Sequence, residues 1–230
     1  MIISRLTILS LFVCLSCDCL FAQLKVSILG DSYSTFEGYL APEANLSWYT
    51  VEQKDYNKGN DVSRVEDTWW YKLTSNESFV LDINNSYSGS TICHTGYKGE
   101  DCSYNSFITR LHYLGNPDVI LVFGGSNDDW AGVSMGNFQY SSWDKKQLYT
   151  FRPAFAYMLN QLRELYPEVR IINIINSGLS HQITESMIRI CEHYNVENLL
   201  LHDIDKLQGH PSKKGMSQIY SQVKSVLDLP

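Results

Sequence analysis

The sequence predicts a three-layer α/β/α domain on a mainly parallel, five-stranded sheet. Two observations predict it. Short apolar runs without polar alternation recur along the chain, most plainly Val-Ile-Leu-Val-Phe at 119–123, and strands apolar on both faces are those covered by helices on both sides. Between these runs lie stretches with apolar residues at helical spacing. Strands therefore alternate with helices, which implies parallel strands joined by right-handed crossovers.

The elements follow in order. Residues 25–29 form a first strand closed by Gly30. Residues 68–74 read as a helix with Asp67 or Thr68 as its cap, and 79–83 as a second strand. A helix over 107–114 leads to the strand at 119–123, which Gly124 and Gly125 close. A long helix over 148–166 ends before Pro167; the strand at 169–175, a helix at 185–194, a short strand at 199–201 and a last helix at 214–227 complete the chain. No internal repeat, low-complexity tract or linker interrupts this order.

The 230 residues fit one domain with a sizeable core, and 44% hydrophobic with 19% charged residues is a globular composition. The net charge of −7 comes without a block of like charges, which argues against nucleic acid or an anionic membrane as the main partner.

Residues 1–22 are predicted to be a secretory signal, with 23–230 as the folded domain. Arg5 precedes an apolar run over 6–15, too short to span a bilayer, and small or polar residues follow. Cleavage is expected after Ala22; the alternative is lipid attachment at Cys17. Either places the product outside the cytoplasm, secreted, periplasmic or at the cell surface. Cys14, Cys17 and Cys19 fall in this leader and leave Cys93, Cys102 and Cys191, an odd number. Cys93 and Cys102 either form one disulfide, which export permits, or remain free buried thiols. No Cys-x-x-Cys pair remains for a zinc ribbon.

Parallel sheets of this kind bind ligands at the carboxyl ends of their strands. Gly30-Asp31-Ser32 follows the first strand, Ser88-Gly89-Ser90 the second, Gly125-Ser126-Asn127-Asp128 the third, and Gly209-His210-Pro211 the last short strand. Acyl transfer needs a nucleophile, a base and donors for an oxyanion. Ser32 and His210 can supply the first two, and the backbone N–H groups of Ser32 and Gly89 with the side-chain amide of Asn127 the third. Read alone, Ser32 is as readily a helix cap and Asn127 a turn residue. Asp31 is expected to bond local backbone, and Asp128 to be structural.

These four blocks, in this order, resemble those of the SGNH (GDSL-like) hydrolases, and the resemblance spans residues 25–227. It implies a flavodoxin-like sheet and ester hydrolysis without a metal or other cofactor, with Ser32 as nucleophile, Gly89 and Asn127 as oxyanion donors and His210 as base. One position departs. The family places an aspartate three residues before the histidine, where this chain has Leu207. Asp205 is the favoured replacement; another carboxylate, or a backbone carbonyl completing a Ser–His dyad, are the alternatives.

Trp48, Tyr49, Trp130 and Trp143 lie in long loops, where aromatic rings either stack on sugars or anchor their own loops. Trp130 is the best candidate for substrate contact because it follows the Asn127 block. Residues 37–67 form a long insertion expected to wall the pocket, and 134–146 another. The expected activity is removal of acetyl or other short acyl groups from carbohydrate, so the predicted partner is a small-molecule or glycan ester. A lipase or aryl esterase, or a non-catalytic glycan-binding descendant, are the competing readings.

Overall fold

The computed structural model describes residues 22–228. The predicted leader and its lipid-attachment alternative at Cys17 lie outside the described residues, save for Ala22. Strand β1 (Leu24–Gly30) is followed by a 3-10 turn at Ser32–Ser34 and, after the insertion, by helix α1 (Trp69–Thr74). Thr68 caps α1 by accepting the Tyr71 N–H, as Ser, Thr, Asp and Asn do at such positions. Strand β2 (Phe79–Ser86) and helix α2 (Phe107–Arg110) lead to β3 (Val119–Phe123). Helix α3 (Ser126–Ala131), helix α4 (Phe151–Leu165), strand β4 (Arg170–Ile175), helix α5 (His181–Tyr194) and strand β5 (Glu197–Leu200) follow. A small hairpin of β6 (Lys206–Leu207) and β7 (His210–Pro211) precedes the last helix, α6 (Lys213–Leu227).

The five long strands are all parallel, in the order β2-β1-β3-β4-β5. This is the flavodoxin-like order, whose direction of winding reverses between β1 and β3. The sheet separates two cores. On one face Leu29, Ile120, Val122 and Ile171 pack against residues of α2, α4 and α5, among them Phe107, Phe155, Leu159, Met187 and Ile190. On the other, Val26, Ile28, Leu121, Phe123, Ile172 and Ile174 meet Trp70 and Leu73 of α1 and Ile219 and Val223 of α6. Neighbouring residues of β3 face opposite cores, which is why its sequence shows no polar alternation.

Strand β2 runs on to Ser86, β5 starts at Glu197, the β6–β7 hairpin is additional, and three helices differ most from expectation. Helix α5 begins four residues early because Ser180 caps it, accepting the Ile183 N–H. Helix α2 is a single turn rather than 107–114. Helix α3 was not anticipated, since Gly125-Ser126-Asn127-Asp128 is composed of turn formers; Gly125, at φ 92°, turns the chain off β3 and starts it. No helix among the described residues is long and apolar enough to cross a membrane.

Leu121 lies fully buried on the central strand. Leu121→Ala is expected to cost about 2–5 kcal/mol, the range for truncating a core leucine, and to lower the urea midpoint without changing the slope of the transition.

Candidate active site

The site is built where β1, β2, β3 and β4 end. Gly30 pairs with both Ser86 and Phe123, so the three loops that follow these strands leave the sheet at one level. Asp31 donates its backbone N–H to the carbonyl of Phe123, and its carboxylate accepts the Tyr33 N–H at 3.0 Å, which shapes the 3-10 turn holding Ser32. Asp31 thus bonds local backbone, as expected. Its second oxygen is buried without a partner, and burial outweighs the positive field of Arg110 and pushes its pKa up to about 7.

His210, 178 residues further along the chain, places Nε2 2.9 Å from Ser32 Oγ. Its Nδ1 lies 3.1 Å from the carbonyl of Gln208. A carbonyl only accepts, so Nδ1 carries the ring proton and Nε2 is the free lone pair facing the serine hydroxyl. The imidazole is stacked on Trp48, with ring centroids 3.7 Å apart and planes 7° from parallel, and Tyr33 and Trp130 flank it at 5.2 and 6.1 Å. Burial among these rings lowers its pKa to about 4, so the neutral form needed in a base prevails at neutral pH.

Asp205 does not orient His210. Gln208 and Gly209, at φ 54° and 73°, form the tight turn between β6 and β7, which sets Leu207 opposite His210 and Lys206 opposite Pro211. Asp205 then falls beside Ser212: its carbonyl accepts the Ser212 N–H and its carboxylate accepts the Ser212 hydroxyl. At about 3.4 Å per residue, those two positions remove the carboxylate from the ring. The backbone-carbonyl alternative is the one the geometry realises.

Gly89 sits in a turn tied to the end of β1, since the Tyr87 N–H donates to the carbonyl of Gly30; its φ of 80° belongs to the left-handed region that favours glycine. Among the described residues, no acceptor engages the backbone N–H of Ser32 or Gly89. Asn127, on the first turn of α3, is held from both sides. Its Oδ1 accepts the Tyr97 hydroxyl at 2.8 Å and its Nδ2 donates to the carbonyl of Ser90 at 3.0 Å, which leaves one Nδ2 hydrogen free. Asp128, as expected, is structural: its buried carboxylate accepts the N–H groups of Ile92 and Cys93, and burial raises its pKa to about 6.

The sequence did not reveal Arg110. Only 5% exposed, it donates to the carbonyls of Gly30, Asn85 and Asn105 and to Ser90 Oγ, gathering the ends of β1 and β2 and the Gly89 loop around one guanidinium. A lone arginine at the end of a predicted helix carries no signal of this; only the convergence of three loops buries it. The insertion over 37–67 supplies Trp48 to the imidazole, the Tyr49 hydroxyl to the carbonyl of Pro211, and the Asn60 amide to the carbonyls of Leu207 and Pro211. Trp143 anchors its own loop through Tyr157 and the carbonyl of Gln139. Trp130, 48% exposed, is the ring that opens to solvent beside His210. Cys93, Cys102 and Cys191 are free thiols.

Residues 24–227 match the family model described as GDSL-like Lipase/Acylhydrolase. The chain belongs to that family. As a family member it is similar to a protein described as a GDSL-like lipase from Bacteroides uniformis, with 58% identity, a TM-score of 0.86, and coverage of 90% of this chain and 97% of that one. A second, from Bacteroides ovatus, shares 50% identity at a TM-score of 0.87, with 90% and 99% covered. A family two carbohydrate esterase from Clostridium thermocellum, solved in complex with cellohexaose, shares the fold at 14% identity and a TM-score of 0.57 over 90% and 64%. No curated protein matches the sequence.

The stack on Trp48 generates a prediction. In Trp48→Ala water reaches the imidazole and the cost of charging it falls, so the His210 titration, followed by proton NMR, is expected to move up from about 4 towards the ordinary value of about 6.5.

Proposed function

We propose that this chain is an exported carboxylic ester hydrolase that works through an acyl-enzyme on Ser32 and removes acetyl or other short acyl groups from carbohydrate. The observation that carries the chemistry is the 2.9 Å contact between Ser32 Oγ and His210 Nε2, with the ring tautomer set for proton acceptance. Ser32 Oγ attacks the ester carbonyl carbon while its proton passes to Nε2. The carbonyl oxygen takes up the negative charge, and the N–H groups of Ser32 and Gly89 with the free Nδ2 hydrogen of Asn127 receive it. Collapse expels the alcohol, which leaves with the proton from His210. Water then attacks the acyl-enzyme by the same steps in reverse order, releasing the acid and restoring Ser32.

The substrate class rests on different support. The apolar run at 6–15 reads as an export signal, and polymeric esters lie outside the cell. Trp130 offers an exposed face beside the nucleophile on which a sugar ring can stack. A carbohydrate esterase carrying a cello-oligosaccharide shares the fold.

Two experiments test this reading. A fluorophosphonate probe is expected to label the wild type at Ser32, and the wild type to release acetate from an acetylated polysaccharide or para-nitrophenyl acetate; Ser32→Ala should abolish both. A glycan-binding protein without catalysis would show neither labelling nor release. Because Asp205 engages Ser212 rather than the imidazole, Asp205→Asn is expected to lower kcat by less than about tenfold, whereas a triad aspartate of the usual kind is worth about 10⁴. A loss of triad size, with the variant folded by circular dichroism, would overturn the carbonyl-oriented dyad.

A further inference from the structure

Lys206 lies beside the proposed catalytic pair and, among the described residues, meets no carboxylate. Its half-buried ammonium donates to Asn176 Oδ1 at 3.2 Å and to the carbonyl of Ser177 at 2.9 Å, both just past the end of β4. It lies 5.6 Å from the centroid of the Tyr33 ring, which packs in turn on His210. Asn176 continues to Ser126 Oγ, the residue before Asn127. Both acceptors on Nζ are neutral, and an ammonium has three hydrogens, so one donor has no partner among the described residues and the charge meets only the face of the Tyr33 ring. Among the described residues no carboxylate reaches it: Asp31 and Asp128 turn an oxygen to backbone N–H groups, Asp129 to the Ser180 N–H and Asp205 to the Ser212 hydroxyl. Burial alone pulls the Lys206 pKa below its ordinary value. A chain of net charge −7 has no shortage of acids to pair with a lysine, yet this one has none among the described residues. A partly desolvated cation fixed by neutral partners lacks only an anion.

We propose that Lys206 is an anion subsite that selects esters carrying a carboxylate on their acyl or alcohol part, within a few bonds of the scissile carbonyl. This rests on the hydrolase reading of Ser32 and His210. Exposed Trp130, its ring 6.3 Å from that of Tyr33, covers the apolar remainder of such a substrate.

The test compares kcat/KM for matched esters in wild type, Lys206→Met and Lys206→Arg. Mono-para-nitrophenyl adipate against para-nitrophenyl hexanoate probes the acyl side. Para-acetoxybenzoate against its methyl ester probes the alcohol side. In at least one pair, the anionic-to-neutral ratio is expected to fall about tenfold in Lys206→Met, the scale of a hydrogen bond to a charged group, and to be kept in Lys206→Arg. Added salt should depress the wild-type ratio and leave that of Lys206→Met flat. A purely structural lysine would lower both members of a pair together. Calorimetric titration of Ser32→Ala with adipate and para-hydroxybenzoate reads the subsite without turnover, and binding should be lost when Lys206→Met is added. Neutral-ester turnover with unchanged ratios and no Lys206-dependent binding overturns the subsite and leaves the hydrolase reading standing. Lys206-dependent binding in a wild type that cleaves no ester does the opposite.

Discussion

The hydrogen bond between Ser32 and His210 joins residues 178 positions apart, and much of the structure around the sheet edge exists to keep them together. The serine side is set by backbone geometry. Asp31 fixes the turn after β1, and Arg110 ties the same strand end to Asn85 and Ser90. The histidine side has no long strand beneath it. It is a two-residue hairpin, and such a hairpin is unstable alone. Tyr33 therefore donates its hydroxyl to Gly209, Tyr49 donates to Pro211, and Asn60 reaches the carbonyls of Leu207 and Pro211. Ser212, with Asp205, then fastens the hairpin to the start of α6. The close approach there explains Gly215, where a Cβ would lie 2.0 Å from the carbonyl of Asp205.

A carbonyl in place of a carboxylate behind the histidine has an energetic consequence. It fixes the tautomer, which is one task of the third member of a triad, but brings no full negative charge to stabilise the imidazolium as the proton arrives. Burial opposes that charge further, as the pKa of about 4 records. The face of Trp48 offsets only part of that cost. Its π-cloud lies parallel to the ring at 3.7 Å, and such a face attracts a cation. It holds the neutral imidazole by packing and meets the developing charge with the negative side of its quadrupole. Trp48 and Tyr49, the two buried aromatic residues of the insertion, thus hold the ring and its hairpin in place, a task that an aspartate shares elsewhere.

The fold was legible because the strands are apolar on both faces and the helices carry caps and clear periodicity; β3 and α6 fall where the pattern puts them, within a residue. The four loops of the site were legible because their residue types are unusual together and each follows a strand. Arg110, Asn60 and Trp48 were not, for a common reason. Each acts on a partner far away in sequence, through backbone carbonyls or a ring face, and neither leaves a mark on local composition. The Asp205 expectation failed on a matter of register: spacing along the chain says how many residues separate an acid from a histidine, but not that a turn at Gln208 and Gly209 places the acid opposite Ser212.

The edge of the sheet also shows what holding such a site costs. Asp31, Asp128 and Arg110 are all buried, with burial raising the first two to about 7 and about 6 and lowering the last to about 9. Each would be more stable in water, and Asp31 leaves one oxygen without a partner. Asn84, Asn85, Ser86, Ser90 and Asn127 are buried beside them, at positions where apolar residues would pack without desolvation cost. Their hydrogen bonds recover part of that cost by fixing carbonyls and loops rather than by adding net stability. On the proposed reading the fold obtains a set of donors that do not need to reorganise when charge appears on a substrate oxygen, and preorganisation of that kind is the usual source of electrostatic catalysis. The two apolar cores on either side of the sheet supply the stability that lets this polar edge persist.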